Sequence, residues 1–395
     1  MKKNYRIEMI DIVIAACVML STIIIVGVVE KYSLQIWDNY ATMQPPTSTL
    51  TWLRWGVGDV SEAQFYKSEL ASLGLLVGAG IAYYFSKMRS KWQGFQLSYG
   101  TGLFPWILLS SSLSLILSNI IWGWTLIESN SWQPTFVTFV SLPAATVLMY
   151  GRGFKIAIIG AVAGALFVTP SSLIIVNYVC VPLNLPSIIG NVLGMAIGSL
   201  IAFIIFKKFN LSCLVKETET KKQEPIEEEK EIEEKEIEPK DTTPFWVVRR
   251  ALADFSESQF IANEWAGLGL IIGALLAIYL NPLSISYGSG LIGSILISQM
   301  LAALMAVILW KSKWEKYGWY PTYIPISSVA PVSVLVFGGS LSSIILGAFI
   351  GACVAPPLAA FISNKLPKYQ HPYIGNVVSM AITSLLALGT IHLVS

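Results

Sequence analysis

The chain is a succession of long apolar runs separated by short polar breaks. A membrane-spanning helix needs about 20 mostly apolar residues. Runs near that length fall at roughly 10–29, 70–86, 101–124, 134–150, 155–179, 186–206, 262–281, 289–310, 321–338, 341–362 and 372–392. The pattern predicts an all-α polytopic membrane protein with about 11 transmembrane helices. The first run follows Met-Lys-Lys-Asn-Tyr-Arg, and Ile14-Ala15-Ala16-Cys17 imitates a lipoprotein cleavage box. Asp11 interrupts the short stretch before that box, and the apolar run continues to Val29. The expectation is therefore an uncleaved anchor rather than a signal peptide.

The runs fall into two sets that repeat one another. Asp59-Val-Ser61-Glu62-Ala-Gln64-Phe65, then Glu69, reappears as Asp254-Phe-Ser256-Glu257-Ser-Gln259-Phe260, then Glu264. Ser98-Tyr99-Gly100 matches Ser286-Tyr287-Gly288; Trp132-Gln-Pro134-Thr135 matches Trp319-Tyr-Pro321-Thr322; Ile189-Gly190-Asn191 matches Ile374-Gly375-Asn376. The glycine pairs Gly74/Gly78 and Gly160/Gly164 return as Gly269/Gly273 and Gly347/Gly351. Such small-xxx-small spacing lets helix backbones approach closely in lipid. The repeats divide the chain into 1–54 (anchor helix and external loop), 55–206 (repeat 1, five spans), 207–249 (charged linker) and 250–395 (repeat 2, five spans).

Five is an odd number, so the second copy enters the membrane from the opposite side. The charges in the loops switch accordingly. Lys87, Arg89 and Lys91 face an uncharged 281–286, while Glu128 faces Lys311, Lys313 and Lys316. The Lys/Arg bias of short loops puts the N-terminus in the cytoplasm and the C-terminus outside, in the cell membrane. Inverted repeats are a recurring plan of secondary transporters, with a site near the midplane between them.

Composition narrows the function classes. Lys216 to Asp241 holds 6 basic and 12 acidic side chains, and the rest of the chain is left at about +8. That segment has too few apolar residues for a core and reads as a solvated linker. The remaining basic residues are dispersed between apolar runs, which argues against a nucleic-acid partner. Four scattered cysteines show no metal or disulfide spacing. No HExxH, partnered GxSxG, Walker motif or Cys/His cluster is present, so enzyme chemistry and cofactors are not expected.

The candidate site lies where helices are interrupted. The third span of each copy carries a proline near its middle, Pro143 and Pro331, and the fourth is expected to break at Thr169-Pro170 and Pro356-Pro357. Proline removes a backbone donor and frees a carbonyl, which in lipid must meet protein or water. Thr138 and Ser141, with Ser328 and Ser333, cluster around the third-span breaks and are expected to line a path. Tyr99 and Tyr287, and Asn191 and Asn376, are candidate polar groups at its mouths. Asp59 and Glu62, like Asp254 and Glu257, have capping-box spacing. Glu69 and Glu264 are expected about two and a half turns into their helices, as gating or ion-coupling groups. The functional expectation is a permease for a small neutral, zwitterionic or weakly charged solute, with H+ or Na+ as candidate coupling ions. A passive channel, and a non-transporting scaffold or sensor using the acidic linker, are the rivals. The expected partners are the lipid bilayer, the solute and, as an option, further copies of the chain.

Overall fold

The computed structural model describes residues 9–211 and 245–394. The acidic stretch Lys216–Asp241 lies outside the described residues. The described part is all-helical. Among the described residues, eight helices are long and apolar enough to cross a membrane, and three shorter apolar helical stretches lie between them. Together they match the eleven runs of the sequence.

Helix α1 (Met9–Lys31) is apolar on nearly all sides and mostly unburied by protein, as a lipid-facing anchor must be. The first half then follows as α2 (Thr49–Gly58), α3 (Glu69–Lys87), α4 (Phe104–Trp122), a short α5 (Trp124–Ser129), α6 (Leu142–Tyr150), α7 (Phe154–Cys180) and α8 (Ser187–Lys208). The second half runs α9 (Trp246–Asp254), α10 (Glu264–Leu280), α11 (Ile292–Leu309), α12 (Lys311–Tyr317), α13 (Val329–Phe337), α14 (Leu341–Ser363) and α15 (Tyr373–Val394).

The two halves meet along α3 and α10. A Cβ on Gly78 would lie 2.9 Å from Cα of Ala266, and one on Gly273 2.8 Å from Cα of Ala71. Gly74 and Gly269 face each other's carbonyls. Partners fall in number along one helix as they rise along the other, so the two helices cross antiparallel. Only glycine permits this approach, because any side chain would enter the opposing backbone.

Ends of helices fix which faces coincide. Lys311 pairs with Asp11 at 2.7 Å, so α12 and the start of α1 share one face. Leu34 and Ile36 donate backbone N–H groups to Tyr279 and Leu280 carbonyls, so the end of α1 lies beside the end of α10.

The fourth spans correct the expectation of a break. α14 runs through Pro356 and Pro357 without interruption, and α7 passes Pro170 with wide π-turns at Gly164–Val168 and Val176–Cys180. The prolines do remove donors, but indoles replace them. Trp122 Nε1 donates to the Ala165 carbonyl at 2.8 Å, and Trp310 Nε1 donates to the Ala352 carbonyl at 2.9 Å. Ala352 is four residues before Pro356, and Ala165 five before Pro170, so each is the carbonyl the proline leaves free. Thr169 hydrogen-bonds Ser118 across a buried contact instead of facing a path. Replacing Trp122 with Phe leaves a buried carbonyl unpaired, at about 1–3 kcal/mol. The expected result is a lower thermal midpoint of the purified protein, whereas Trp124→Phe, on an exposed ring, leaves it unchanged.

The third spans do divide, at serine rather than proline. A 3-10 turn (Thr135–Thr138) leads to Ser141 at φ −145°, ψ −124°, after which α6 begins. The second copy has Ile324–Ser327, then Ser328 at φ −151°, ψ −79°, then α13.

Candidate functional site

Between α2 and α3 the chain doubles back through residues 59–68. Phe65 and Lys67 take left-handed backbone angles there (φ 65° and 44°), and Phe260 and Ala262 do the same in the second half (φ 58° and 56°). A β-carbon makes such angles costly, so surrounding contacts must hold them. Serines supply one staple. Ser61 Oγ donates to the Ser68 carbonyl and accepts from its N–H, and Ser256 does the same with Asn263. Glutamines supply another, between the halves. Gln64 Nε2 donates to the Phe255 carbonyl and to Gln259 Oε1, while Gln259 Nε2 donates to the Val60 carbonyl and to Gln64 Oε1. Ser98 and Ser286 then close the turns by donating N–H groups to the carbonyls of Ile261 and Tyr66.

Each doubled-back segment buries a cluster of two carboxylates and one cation. In the first half Asp59 and Glu62 surround Lys67, whose Nζ is 2.9 Å from Glu62 Oε2 and in direct contact with Asp59. Thr135 Oγ1 and Asn119 Nδ2 donate to Asp59, and Trp132 Nε1 donates to Glu62. In the second half Asp254 and Glu257 surround Arg250, and Trp319 Nε1 donates to Glu257 at 2.5 Å. All six charged side chains are almost fully buried.

The cations come from different sequence positions. Arg250 aligns with Trp55, and Lys67 aligns with Ala262. Lys67 lies 3.6 Å over the Trp55 ring, and Trp55 Nε1 donates to Thr135. Arg250 lies 4.6 Å over Trp314, and Trp314 Nε1 donates to Thr322. Trp314 aligns in turn with Leu126. The same cation–indole–threonine arrangement is thus assembled twice from non-equivalent positions.

A recess with a cavity volume of about 40 Å³ lies between the two halves, beside the first cluster. That is room for a few waters at about 10–15 Å³ each. Its walls include equivalent positions of the two halves: Phe65 and Phe260, Phe136 and Tyr323, Met195 and Met380, Val140 and Ser327, and Ala63 and Ser258. Glu62 reaches the recess from the first cluster; Glu257 is not among its lining residues.

The sequence candidates distribute unevenly around this recess. Asn191 and Tyr287 line it. Asn191 Oδ1 is buried without a partner, while Asn376 Nδ2 donates to Tyr323 Oη at 3.0 Å. Tyr99 is partly exposed, with its ring edge-on to Trp319. Ser141, Ser328 and Ser333 do not line the recess. Each hydroxyl donates to a carbonyl four residues back, those of Val137, Ile324 and Val329. This local bond spends the hydroxyl's proton on its own backbone and pairs the carbonyl. Thr138 Oγ1 is buried without a partner. Pro143 packs against Gly160 and Gly164, away from the recess, and Pro331 is buried within α13.

Two further expectations are corrected. Asp59 does not cap a helix start: α3 begins at Glu69, and Ser68 caps it by accepting from the Ala71 N–H. Glu69 and Glu264 accordingly sit in the first turn of α3 and α10, where carboxylates complement the helix dipole. Glu69 accepts from Arg54 at 2.7 Å and Trp37 at 2.8 Å; Glu264 accepts from Arg249 at 3.0 Å and the Phe95 N–H at 2.7 Å. They brace the two ends of the bundle. Outside the spans, burial beside Phe260 and Tyr373 holds His371 down to about 4, so it is neutral at pH 7 and accepts at Nδ1 from the Tyr373 N–H.

No family model matches the sequence. One stretch of 122 residues is 25% identical to NAD(P)H-quinone oxidoreductase chain 5 of Synechocystis sp. (strain ATCC 27184 / PCC 6803 / Kazusa). The stretch covers 28% of this chain and 18% of that protein, so the similarity spans less than a fifth of that relative's length. The chain is a helical, multi-pass membrane protein with a small recess between its two halves.

Proposed function

We propose that the chain is a secondary permease for a small, weakly charged solute, built from two inverted five-span repeats around the recess. The observation that carries the reading is the recess itself, bounded by equivalent positions of both halves. The antiparallel crossing of α3 and α10 supports the inversion, because equivalent helices pointing opposite ways require it. The pairing of Asp11 with Lys311 supports a cytoplasmic N-terminus, since the Lys311 loop carries the basic residues expected inside. A C-terminus outside the cell membrane follows from eleven spans.

Inverted repeats exchange conformations readily, because each half can adopt the shape of the other. A site on the seam then opens to one side or the other. The match to NAD(P)H-quinone oxidoreductase chain 5 covers too little of either protein to lend this chain a substrate.

The test is uptake of small radiolabelled solutes by proteoliposomes holding the full chain. Met195→Trp fills the recess and is expected to abolish saturable uptake, while Leu341→Trp, on an exposed position, retains it. Uptake that survives a filled recess would overturn the assignment. Linear, non-saturating flux would make the protein a passive channel. Loss of a cellular phenotype on deleting 216–241, with no flux for any solute, would favour the scaffold or sensor.

A further inference from the structure

The two buried clusters do not balance their charge. Asp59 and Glu62 bring two carboxylates against one cation, Lys67; Asp254 and Glu257 bring two against Arg250. An uncompensated buried carboxylate costs several kcal/mol, so such a site binds a proton or a cation. The other groups facing Glu62 are Tyr40, Tyr287 and the Trp132 indole, and those facing Glu257 are Tyr99, Tyr323 and the Trp319 indole. None of them is a further cation.

The clusters differ in access. Glu62 lines the recess and Glu257 does not. A second group beside Glu62 points to the kind of ligand that enters. Asn191, 4% exposed, also lines the recess and leaves its Oδ1 without a donor. A free carbonyl oxygen and a carboxyl group therefore share one small space walled by Phe65, Phe136, Phe260 and Met195. Two acceptors in an apolar, aromatic recess suit a donor of positive charge, a small ammonium ion whose carbon face meets the rings.

We infer that the Asp59–Glu62 pair holds one exchangeable proton, and that a small primary ammonium ion replaces that proton in the recess. In the exchange the carboxyl O–H bond breaks and the proton leaves on a water molecule. The two carboxylates that remain are balanced by Lys67 and the incoming N–H donors. Nothing is oxidised or reduced, and the total charge of the site is unchanged. The Asp254–Glu257 pair holds its proton behind Trp319 and Tyr323. This deepens the permease reading and rests on it for the step from binding to movement. When the halves exchange shapes, the recess opens to the other side, the ammonium ion leaves Glu62 there and a proton from that side restores the carboxyl O–H bond, so proton and ammonium ion travel in opposite directions.

The direct test is infrared spectroscopy of the full chain in lipid at pH 7, reading the C=O stretch of protonated carboxyls. Wild type is expected to show this absorption, and Glu62→Gln and Glu257→Gln each to remove about half of it. Methylammonium is expected to displace the Glu62 component alone. In deuterated buffer that component shifts first, because it faces the recess. Absence of the absorption in wild type would overturn the inference, as would indifference to methylammonium or equal loss from both sites. Asp59→Asn, which keeps the shape of the pair, serves where Glu62→Gln does not fold, and is expected to remove the same component. Flux measured alongside separates the two ideas. Methylammonium–proton exchange that persists in Glu62→Gln would sink the proton site and leave the permease standing. Displacement of the proton without flux would do the reverse.

Discussion

Lys67→Ala is expected to destabilise the protein by about 3–5 kcal/mol, the usual loss when one partner of a buried ion pair is removed. Asp59 and Glu62 would then face each other with no cation, and Trp55 would lose the ammonium 3.6 Å above its ring. The second half shows how the loss can be repaired. There the positions equivalent to Trp55, Lys67 and Leu126 hold Arg250, Ala262 and Trp314, and the guanidinium reaches the same two carboxylates. The triple variant Trp55→Arg/Lys67→Ala/Leu126→Trp moves that arrangement into the first half. Its thermal midpoint is expected to return most of the way to wild type, although Lys67→Ala alone falls far below it. The backbone angle is no obstacle, because Ala262 already adopts φ 56° where Lys67 has φ 44°. A triple variant no better than Lys67→Ala would mean that the two clusters are not interchangeable, and the symmetry argued for the recess would lose its chemical support.

This exchange also explains what sequence reading can and cannot reach. The runs of apolar residues locate the eight helices of the described residues that are long and apolar enough to cross a membrane, and three shorter ones, because a helix in lipid must be apolar along its length. The duplicated motifs carry Phe65 and its counterpart Phe260, and both line the recess. The clusters themselves stay hidden. Asp59 and Glu62 have the spacing of a helix cap, and nothing in a linear pattern shows that Ser68 takes that role. Their cations cannot be aligned, since one is contributed at position 67 and the other at position 250.

The serines carry an ambiguity of the same physical kind. Ser141, Ser328 and Ser333 sit beside helix breaks, as groups lining a polar path would. Each instead bonds the carbonyl four residues behind it. A hydroxyl beside a break has two choices, the path or its own backbone, and sequence does not distinguish them. The fourth-span prolines are similar. Trp122 and Trp310, distant in sequence from Pro170 and Pro356, donate to the carbonyls those prolines leave free. The recess is also lined by Phe136, Val140 and Tyr323, which no linear pattern singles out, and by Ser327, one of the serines beside the second break.

Gly74→Val is expected to prevent the two halves from joining. The new Cβ would enter the carbonyl of Gly269, with Cα of Gly273 at 3.3 Å on the other side. These neighbours are backbone atoms in the middle of a helix, and no rotamer change can move them aside. Overpacking within a core costs about 1–3 kcal/mol when side chains can shift, and here only separation of α3 from α10 gives relief. The Gln64–Gln259 bonds and the N–H groups of Ser98 and Ser286 depend on that contact, so they are lost with it. Gly80→Val makes the comparison, because a Cβ there meets nothing within 4 Å and the residue lies on the same helix. Size-exclusion profiles and protease sensitivity in detergent are expected to match wild type for Gly80→Val and to show an opened, cleavable chain for Gly74→Val. The reciprocal variant Gly269→Val should behave like Gly74→Val, since each glycine faces the other's carbonyl. If either variant remained compact and protease-resistant, α3 and α10 would not cross at these glycines. The recess would then have to be held together by contacts other than the antiparallel pair.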